Sequence, residues 1–162
     1  NLIINMNIKN LTTIIFLISL IALISAYFIE YILGHQPCNL CLLERIPYLF
    51  ALIIIVLNLK FNYLEKYFLL LLIIVFSTST LLSLYHFSIE QGFIQESLVC
   101  DLKNSSKILT KEEILQQLQE IKVSCKDVTF KIFGLSLTNF NLTISLILTT
   151  ILTRKYFLYG KN

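Results

Sequence analysis

The stretch "HQPCNLCLLERIPY", residues 35–48, separates two long apolar segments and contains two cysteines three positions apart. An apolar run from residue 11 to 29 precedes it, and a second run follows it as far as residue 59. A helix of about 20 apolar residues is long enough to cross the hydrocarbon of a bilayer. The stretch therefore predicts a cysteine pair at the edge of a membrane, where a second crossing helix begins.

The composition assigns the whole chain to the membrane proteins. Of its 162 residues, 56% are hydrophobic and 14% are charged, and the mean hydropathy is +0.77. A small soluble domain cannot hide so much apolar surface in one core. We expect one domain over residues 1–162, an all-α bundle of four transmembrane helices whose first helix is not a cleaved signal peptide. The expected helices span about 11–31, 40–59, 67–87 and 132–153, and the loops at about 32–39 and 88–131 lie on the same side of the membrane.

The distribution of charge predicts the orientation of this bundle. If the termini and the loop at 60–66 share one side, that side carries six basic residues and one acid, Glu65. The other side carries seven basic residues and nine acids, and six of those basic residues lie in one long loop, where the positive-inside rule has little weight. The termini are therefore expected in the cytoplasm and both cysteine-bearing loops outside it.

The long outer loop contains one amphipathic pattern, "TKEEILQQLQEIKV" at 110–123. Apolar residues recur there at helical spacing, and Thr110 with Glu113 forms a capping box. Two interpretations stay open. The short helix either packs on its own loop as an ordinary solvated element or lies on the membrane surface.

All four cysteines are expected on one face of the membrane, because Cys38 and Cys41 follow the first helix while Cys100 and Cys125 lie between the third and fourth. On the orientation above this is the oxidising face, where disulfides persist. Three interpretations compete: static disulfides or inert thiols, a zinc site with four cysteine ligands, and a redox relay between two pairs. Zinc is disfavoured because the second pair lacks ligand spacing.

The local sequence favours the relay. Pro37 suits the first position of a helix, which would put Cys38 and Cys41 near its first turn, where unpaired N–H groups favour a thiolate. Arg45 follows Cys41 by four positions and would share its helix face. Pro47 would leave the Leu43 carbonyl without its helical donor, so the segment either bends or the spanning helix restarts there.

The position of Arg45 suggests the electron acceptor. The 14 residues between Arg45 and Lys60 span only about 21 Å as a helix, so the crossing helix must extend toward its N-terminal side. Arg45 then lies at the edge of the lipid, where it is either a snorkelling anchor or functional. A dithiol and a cation at this depth suit an acceptor dissolved in the membrane, and quinones are the obvious class.

Three stretches resemble one known family. "YILGHQPCNLCLLERIPY" at 31–48 is similar to the signature of the disulfide bond formation protein B (DsbB) family, with Gly and Pro before the cysteine pair and Arg four residues after it. "YHFSIEQGF" at 85–93 resembles the family's segment at the end of helix three, and "FKIFGLSLTNFN" at 130–141 resembles the opening of helix four. The chain departs from the family in having no Trp.

The resemblance implies an inner-membrane thiol oxidase of bacteria that passes electrons to quinone, either ubiquinone or menaquinone, without a metal. Its expected partners are a periplasmic thioredoxin-fold oxidase of the DsbA type, quinone and the lipid bilayer, with no nucleic acid. Cys38 and Cys41 would form the pair beside quinone, with Cys41 nearer the ring. Cys100 and Cys125 would form the loop disulfide that the partner attacks at Cys100, after which Cys125 exchanges with Cys38. Arg45 would support quinone binding.

The histidines leave further alternatives. His86 is expected to border the quinone pocket or to bond a loop carbonyl at the membrane interface. His35 and His86 together could ligate a haem, but four cysteines would then have no role. The vitamin K epoxide reductase class also combines a cysteine pair with quinone-like substrates, but its pair follows the loop cysteines, whereas here the pair follows helix one.

Overall fold

The computed structural model describes residues 7–60, 65–95, 125, 131–132 and 135–159. Within them the chain forms five helices and one two-stranded antiparallel sheet. The elements in chain order are α1 (Ile8–Tyr31), α2 (Asn39–Leu43), α3 (Ile46–Lys60), α4 (Glu65–Glu90), β1 (Lys131–Ile132), β2 (Leu135–Ser136) and α5 (Leu137–Tyr159). Cys100 and the amphipathic helix predicted at 110–123 lie outside the described residues.

Three segments of the described residues are long and apolar enough to cross a membrane: Ile8–Tyr31, Asn39–Lys60 and Glu65–Glu90. Large apolar side chains point outward from them, which would be unfavourable in water and is expected in lipid. Examples are Ile21, Ile24, Ile53, Val56, Ile74, Leu81 and Leu84. The prediction of an all-helical membrane protein is confirmed for these three segments. The crossing of α5 stays a prediction.

The first and third predicted helices are longer than expected. α1 starts at Ile8, where the side chain of Asn7 caps it by accepting a hydrogen bond from the Lys9 amide. α4 extends to Glu90 and ends in a Schellman motif, in which the amides of Gly92 and Phe93 donate to the carbonyls of Ile89 and Ser88. Gly92 has a φ of 76° there, which glycine adopts without strain. His86 therefore lies inside a helix rather than at its last turn.

The cysteine stretch begins its helix at Asn39, one residue before the predicted bound of 40. Cys38 caps α2 and Pro37 precedes this cap, so the prediction of Pro37 as the first helical residue is wrong. The sulfur of Cys38 accepts a hydrogen bond from the Cys41 amide at 3.2 Å, so a thiol takes the place that Ser or Asp usually fills. A turn at residues 44–45 then interrupts the helix, and α3 restarts at Ile46 with Pro47 in its first turn. The restart alternative for Pro47 is thus confirmed.

The fourth long helix begins later than the predicted residue 132. The strands β1 and β2 come first, and Ser136 then caps α5 by accepting a hydrogen bond from the Asn139 amide. The helix is rich in threonine, yet its hydroxyls donate to carbonyls of the same helix. Thr143, Ser145, Thr149, Thr150 and Thr153 each bond the residue four positions earlier. These hydroxyls are satisfied within α5 and need no solvent.

The helices pack side by side in a bundle. α3 lies between α1 and α4, and α4 packs along α5. Serines that are wholly buried, Ser79 and Ser83 on α4 and Ser145 on α5, allow these two backbones to approach closely. Polar contacts with α5 occur near the C-terminal end of α4, and Lys66 at its other end lies over Tyr156, so α4 and α5 are antiparallel. The cysteine stretch and the sheet therefore occupy the same end of the bundle.

Candidate redox site

Cys38 and Cys41 face each other where α2 begins. Their sulfur atoms are 2.6 Å apart, within reach of a disulfide. A disulfide needs a separation of about 2.05 Å, so the pair closes into one with a small displacement of the two sulfurs. Cys38 is 6% exposed, whereas Cys41 is only partly buried. An external acceptor or thiol therefore reaches Cys41 more readily than Cys38.

Cys125 belongs to the same small apolar cluster as Cys38. The buried members of this cluster are Cys38, Leu40, Ile89 and Cys125, and Cys125 is 3% exposed. Cys41 and Tyr85 pack against them. A cysteine 87 positions along the chain is thus brought beside the cysteine pair by packing against α2 and α4. Three of the four predicted redox residues lie together, and the fourth, Cys100, lies outside the described residues.

His86 contacts Cys38 from α4. Its Nε2 atom lies 3.6 Å from the Cys38 sulfur, and its Nδ1 atom lies 3.0 Å from Oε1 of Glu44. Because an ionised carboxylate only accepts hydrogen bonds, Nδ1 carries the proton and donates to Glu44. In neutral histidine the lone pair of Nε2 then faces the thiol, which donates to it. The imidazole is thereby oriented as a base for Cys38, and it is 2% exposed.

Glu44 connects His86 to α5. Its second oxygen, Oε2, accepts a hydrogen bond from Nδ2 of Asn141 at 3.0 Å, and the same amide donates to Ser83 at 2.7 Å. The hydroxyl of Tyr48 donates to Oδ1 of Asn141. Asn141 therefore uses both ends of its amide to join α2, α3 and α4. A buried polar network with its groups paired in this way fixes the position of each member.

A second carboxylate holds the sheet against this site. Glu90 accepts hydrogen bonds of 2.6 Å from the hydroxyls of both Ser136 and Thr138. Thr138 Oγ1 also lies 3.3 Å from Nδ1 of His86, so the start of α5 closes the side of the imidazole that faces away from the cysteines. The N-terminus of α5 is thus fixed to the last turn of α4 beside His86.

Arg45 lies beside the site but points toward α1. Its Nη1 atom forms a 2.5 Å ion pair with Glu30, and its guanidinium stacks 5.0 Å above the ring of Tyr27. The prediction that Arg45 shares a helix face with Cys41 is wrong, because the turn at residues 44–45 ends α2 before Arg45. The side chains of Arg45 and Glu30 are 13% and 21% exposed, so most of the surface of this ion pair is buried in the protein.

The surface next to Arg45 is apolar and aromatic. Tyr27 and Tyr31 stack with ring centroids 6.1 Å apart, and Tyr31 is among the most exposed side chains. Leu42 and Ile46 are also exposed on either side of the turn that carries Arg45. A planar lipid-soluble ring fits such a surface, because it can stack on tyrosine while a guanidinium, which has five N–H donors, bonds its carbonyl oxygen. These residues therefore form an apolar, aromatic surface with a guanidinium at its edge.

Comparison with known proteins identifies the family. The family model described as "Disulfide bond formation protein DsbB" matches residues 8–154. The chain belongs to the DsbB family. It is thus a membrane protein of disulfide bond formation and an oxidoreductase of that class, as the resemblance implied. No solved structure matches the chain.

A curated relative of this DsbB-family chain has no assigned role. The chain is 37% identical over 142 residues to the uncharacterized protein RP370 of Rickettsia prowazekii (strain Madrid E). The alignment covers 86% of this chain and 83% of that protein. The two proteins are therefore similar over most of their length.

The site of this DsbB-family chain contains more residues than the sequence predicted. The sequence prediction missed Glu30, Glu44, Glu90, Thr138 and Asn141, which orient His86 and Arg45. A usable signal was present, because Glu30, Glu44 and Glu90 are acids at the ends of apolar segments, where charge is unfavourable and commonly functional. Asn141 had no such signal, since an Asn in a threonine-rich helix gives no indication of its partners.

Proposed function

We propose that this protein is a thiol oxidase that reoxidises a periplasmic thioredoxin-fold partner of the DsbA type and transfers the electrons to membrane quinone. Two electrons and two protons leave the partner's dithiol, which becomes a disulfide, and quinone becomes quinol. Family membership supports disulfide chemistry in a membrane. The partner, the acceptor and the individual roles below are our proposal.

One observation carries this proposal. Cys38 and Cys125 are buried in the same cluster, although they are 87 positions apart in the sequence and come from different loops. Thiol–disulfide exchange requires the attacking sulfur to reach the attacked sulfur, so access limits the rate. A cysteine of the long loop beside the cysteine pair is what a relay between two pairs requires. Static disulfides within each pair would not need this proximity.

The relay proceeds through four exchanges. The partner's thiolate attacks Cys100 of a Cys100–Cys125 disulfide and frees Cys125. Cys125 attacks Cys38 of the Cys38–Cys41 disulfide and frees Cys41. The partner's second thiol then releases Cys100 and leaves as a disulfide. Cys100 finally attacks Cys125, which restores the loop disulfide and leaves Cys38 and Cys41 as the dithiol that quinone reoxidises.

His86 handles the protons at Cys38. Cys38 leaves the exchange as a thiolate and takes up a proton, and Nε2, which faces it at 3.6 Å, removes that proton again for reoxidation. The Cys38 thiolate then bonds to the sulfur of Cys41 as the pair gives two electrons to quinone, and the two thiol protons, one of them through His86, complete the quinol. Glu44 stabilises the imidazolium through Nδ1, as the carboxylate does in a nucleophile–histidine–acid triad. This role adds to the predicted place of His86 beside the quinone pocket, which stays a prediction.

Arg45 contributes a hydrogen-bond donor to the quinone site. Glu30 neutralises its charge through Nη1, so the remaining N–H groups act as donors at the lipid edge rather than as an isolated cation. The stacking on Tyr27 fixes the guanidinium plane. Cys41, the more accessible of the pair, is the sulfur nearer the acceptor.

The orientation in the membrane is part of the proposal. α5 has 23 residues and bonds its own hydroxyls, so it can serve as the fourth crossing helix despite its threonines. The end of the bundle away from the cysteines carries Lys60, Lys66, Arg154 and Lys155. By the positive-inside rule this end faces the cytoplasm, and the cysteine pair faces the periplasm.

Trapping of the inter-pair disulfide tests the relay. In the Cys41→Ser/Cys100→Ser variant, Cys38 and Cys125 remain, and oxidation should join them in nearly every molecule. The matched Cys38→Ser/Cys100→Ser variant retains Cys41 and Cys125 and should form its disulfide more slowly, because Cys41 is at the edge of the cluster. Equal and poor bridging in both variants would support static disulfides instead.

A further inference from the structure

The cysteine pair and His86 have the composition and spacing of a metal site. The two sulfurs and a ring nitrogen of His86 all lie within 4.8 Å of one another. We propose that the reduced pair, together with His86, binds a thiophilic divalent cation of the zinc class and is held by it as a dithiolate. This inference needs only that the pair can be reduced, and it holds whatever the electron acceptor is.

The distances fit zinc at one edge and require a small movement at the other. Zinc binds sulfur at about 2.3 Å and histidine nitrogen at about 2.0–2.1 Å in a tetrahedron, which sets about 3.6 Å between the two ligand atoms. Cys38 Sγ and His86 Nε2 are 3.6 Å apart. Two zinc-bound sulfurs lie farther apart than the present 2.6 Å, and the partly exposed Cys41 can rotate outward to reach that separation.

The partner of Nδ1 is the second observation that points to a metal. A histidine that binds zinc through one nitrogen commonly donates its other N–H to a carboxylate, which fixes the tautomer and increases the basicity of the ligand. His86 donates Nδ1–H to Glu44 at 3.0 Å, and Glu44 is itself fixed by Asn141. In the tautomer protonated at Nδ1, the lone pair of Nε2 is directed at Cys38, and Oε1 of Glu90 lies 3.8 Å from the same nitrogen.

Charge also favours a divalent ion at this depth. Binding replaces the two thiol protons, which are released to solvent, and two thiolates with one divalent cation form a neutral group. A neutral group is far less unfavourable at the edge of lipid than an isolated ion. Three protein ligands leave a fourth position for water. The disulfide form has no thiolates and cannot bind, so the site exists only in the reduced protein and opposes its oxidation.

Metal titration of the intact chain tests this site. The Cys100→Ser/Cys125→Ser variant, in detergent and reduced under anaerobic conditions, contains only the two thiols of the pair. Cobalt(II) should bind at one ion per chain with a sulfur-to-metal charge-transfer band and release two protons, and zinc should displace it. His86→Ala in this background should weaken zinc binding strongly, and Glu44→Gln by about 10- to 100-fold. His35→Ala, which removes the chain's other histidine, is the matched control and should change nothing.

X-ray absorption of the zinc-loaded protein keeps the test independent of variant folding. The expected spectrum contains two sulfur ligands and one imidazole nitrogen. Absence of imidazole scattering, equal affinity in the His86→Ala and His35→Ala variants, or binding of zinc by the oxidised protein would each overturn the proposal. Zinc that binds as described, while quinone fails to reoxidise the metal-free pair, would contradict the proposed function and leave the metal site intact.

Discussion

His86 Nε2 lies 3.6 Å from the sulfur of Cys38, although the two residues are 48 positions apart. The contact joins the last turns of α4 to the cap of α2, and Glu44 fixes the imidazole from the opposite side. Cys38 caps α2, its sulfur accepts a hydrogen bond from an amide of that helix, and it faces the lone pair of a histidine. These contacts favour loss of the thiol proton.

His86→Ala should slow oxidation of the reduced Cys38–Cys41 pair by about 10²- to 10⁴-fold, the range of a positioned general base. The deficit should narrow as the pH is raised, because hydroxide then removes the thiol proton without the imidazole. Stopped-flow measurement of quinone reduction by the prereduced variant gives the rate, with His35→Ala as the control. A deficit that does not change with pH would assign His86 a purely structural role.

Arg45→Ala should raise the KM for quinone by about 10- to 100-fold, as loss of a hydrogen bond from a charged donor predicts. Disulfide exchange with a reduced thioredoxin-fold partner should change little, because Arg45 contacts Glu30 and Tyr27 rather than the sulfurs. Steady-state kinetics with quinone varied and single-turnover exchange with the partner separate the two effects. Arg45→Lys keeps the charge, and its KM for quinone should lie between that of the wild type and that of Arg45→Ala. Equal loss of both activities would contradict the division of roles.

The helix bounds show what the sequence determined well and what it did not. Long apolar runs predicted α1, α3 and α4 because burial in lipid requires helices of that length. The start of α5 was misplaced because "FKIFGLS" is as apolar as the helix that follows it, whereas the boundary lies where the strand pairing ends and Ser136 caps the helix through Asn139. Cap geometry depends on local backbone angles, which hydropathy does not report.

For the site too, the sequence indicated the region but not the local contacts. The spacing of Cys38 and Cys41 and the positions of Arg45 and His86 indicated the end of the bundle where these residues lie together. Their partners could not be predicted, because the turn at residues 44–45 rotates Arg45 toward Glu30 and Glu44 toward His86. A continuous helix through these residues would have directed both side chains elsewhere.

Glu90→Ala should loosen the sheet from α4. The substitution leaves the hydroxyls of Ser136 and Thr138 without their acceptor, which costs about 1–3 kcal/mol in the free energy of unfolding. Hydrogen exchange should increase in residues 135–139 and stay unchanged near Lys66. Ser88→Ala removes only a hydroxyl that bonds its own helix, so it is the control and should have little effect. Unchanged exchange in the Glu90→Ala variant would contradict the anchoring role.

Asn141→Asp should destabilise the protein more than Asn141→Ala. The alanine variant loses three hydrogen bonds and should cost about 1–3 kcal/mol. The aspartate adds a negative charge beside the buried Glu44 carboxylate, and two like charges this close are strongly unfavourable away from water. Denaturation in mixed micelles gives both free energies of unfolding. Asn139→Asp, at a half-buried position two residues earlier, is the control and should cost less. An aspartate variant as stable as the alanine variant would contradict the assigned network.

Anaerobic reoxidation by quinone tests the central claim most directly. The purified chain is reduced to four thiols, freed of reductant, and mixed with a soluble ubiquinone or menaquinone analogue in the absence of oxygen. The thiol count should fall to zero as two quinols form per chain, and Cys41→Ser should abolish quinol formation. A wild-type protein that keeps its four thiols in the presence of either quinone would contradict the account.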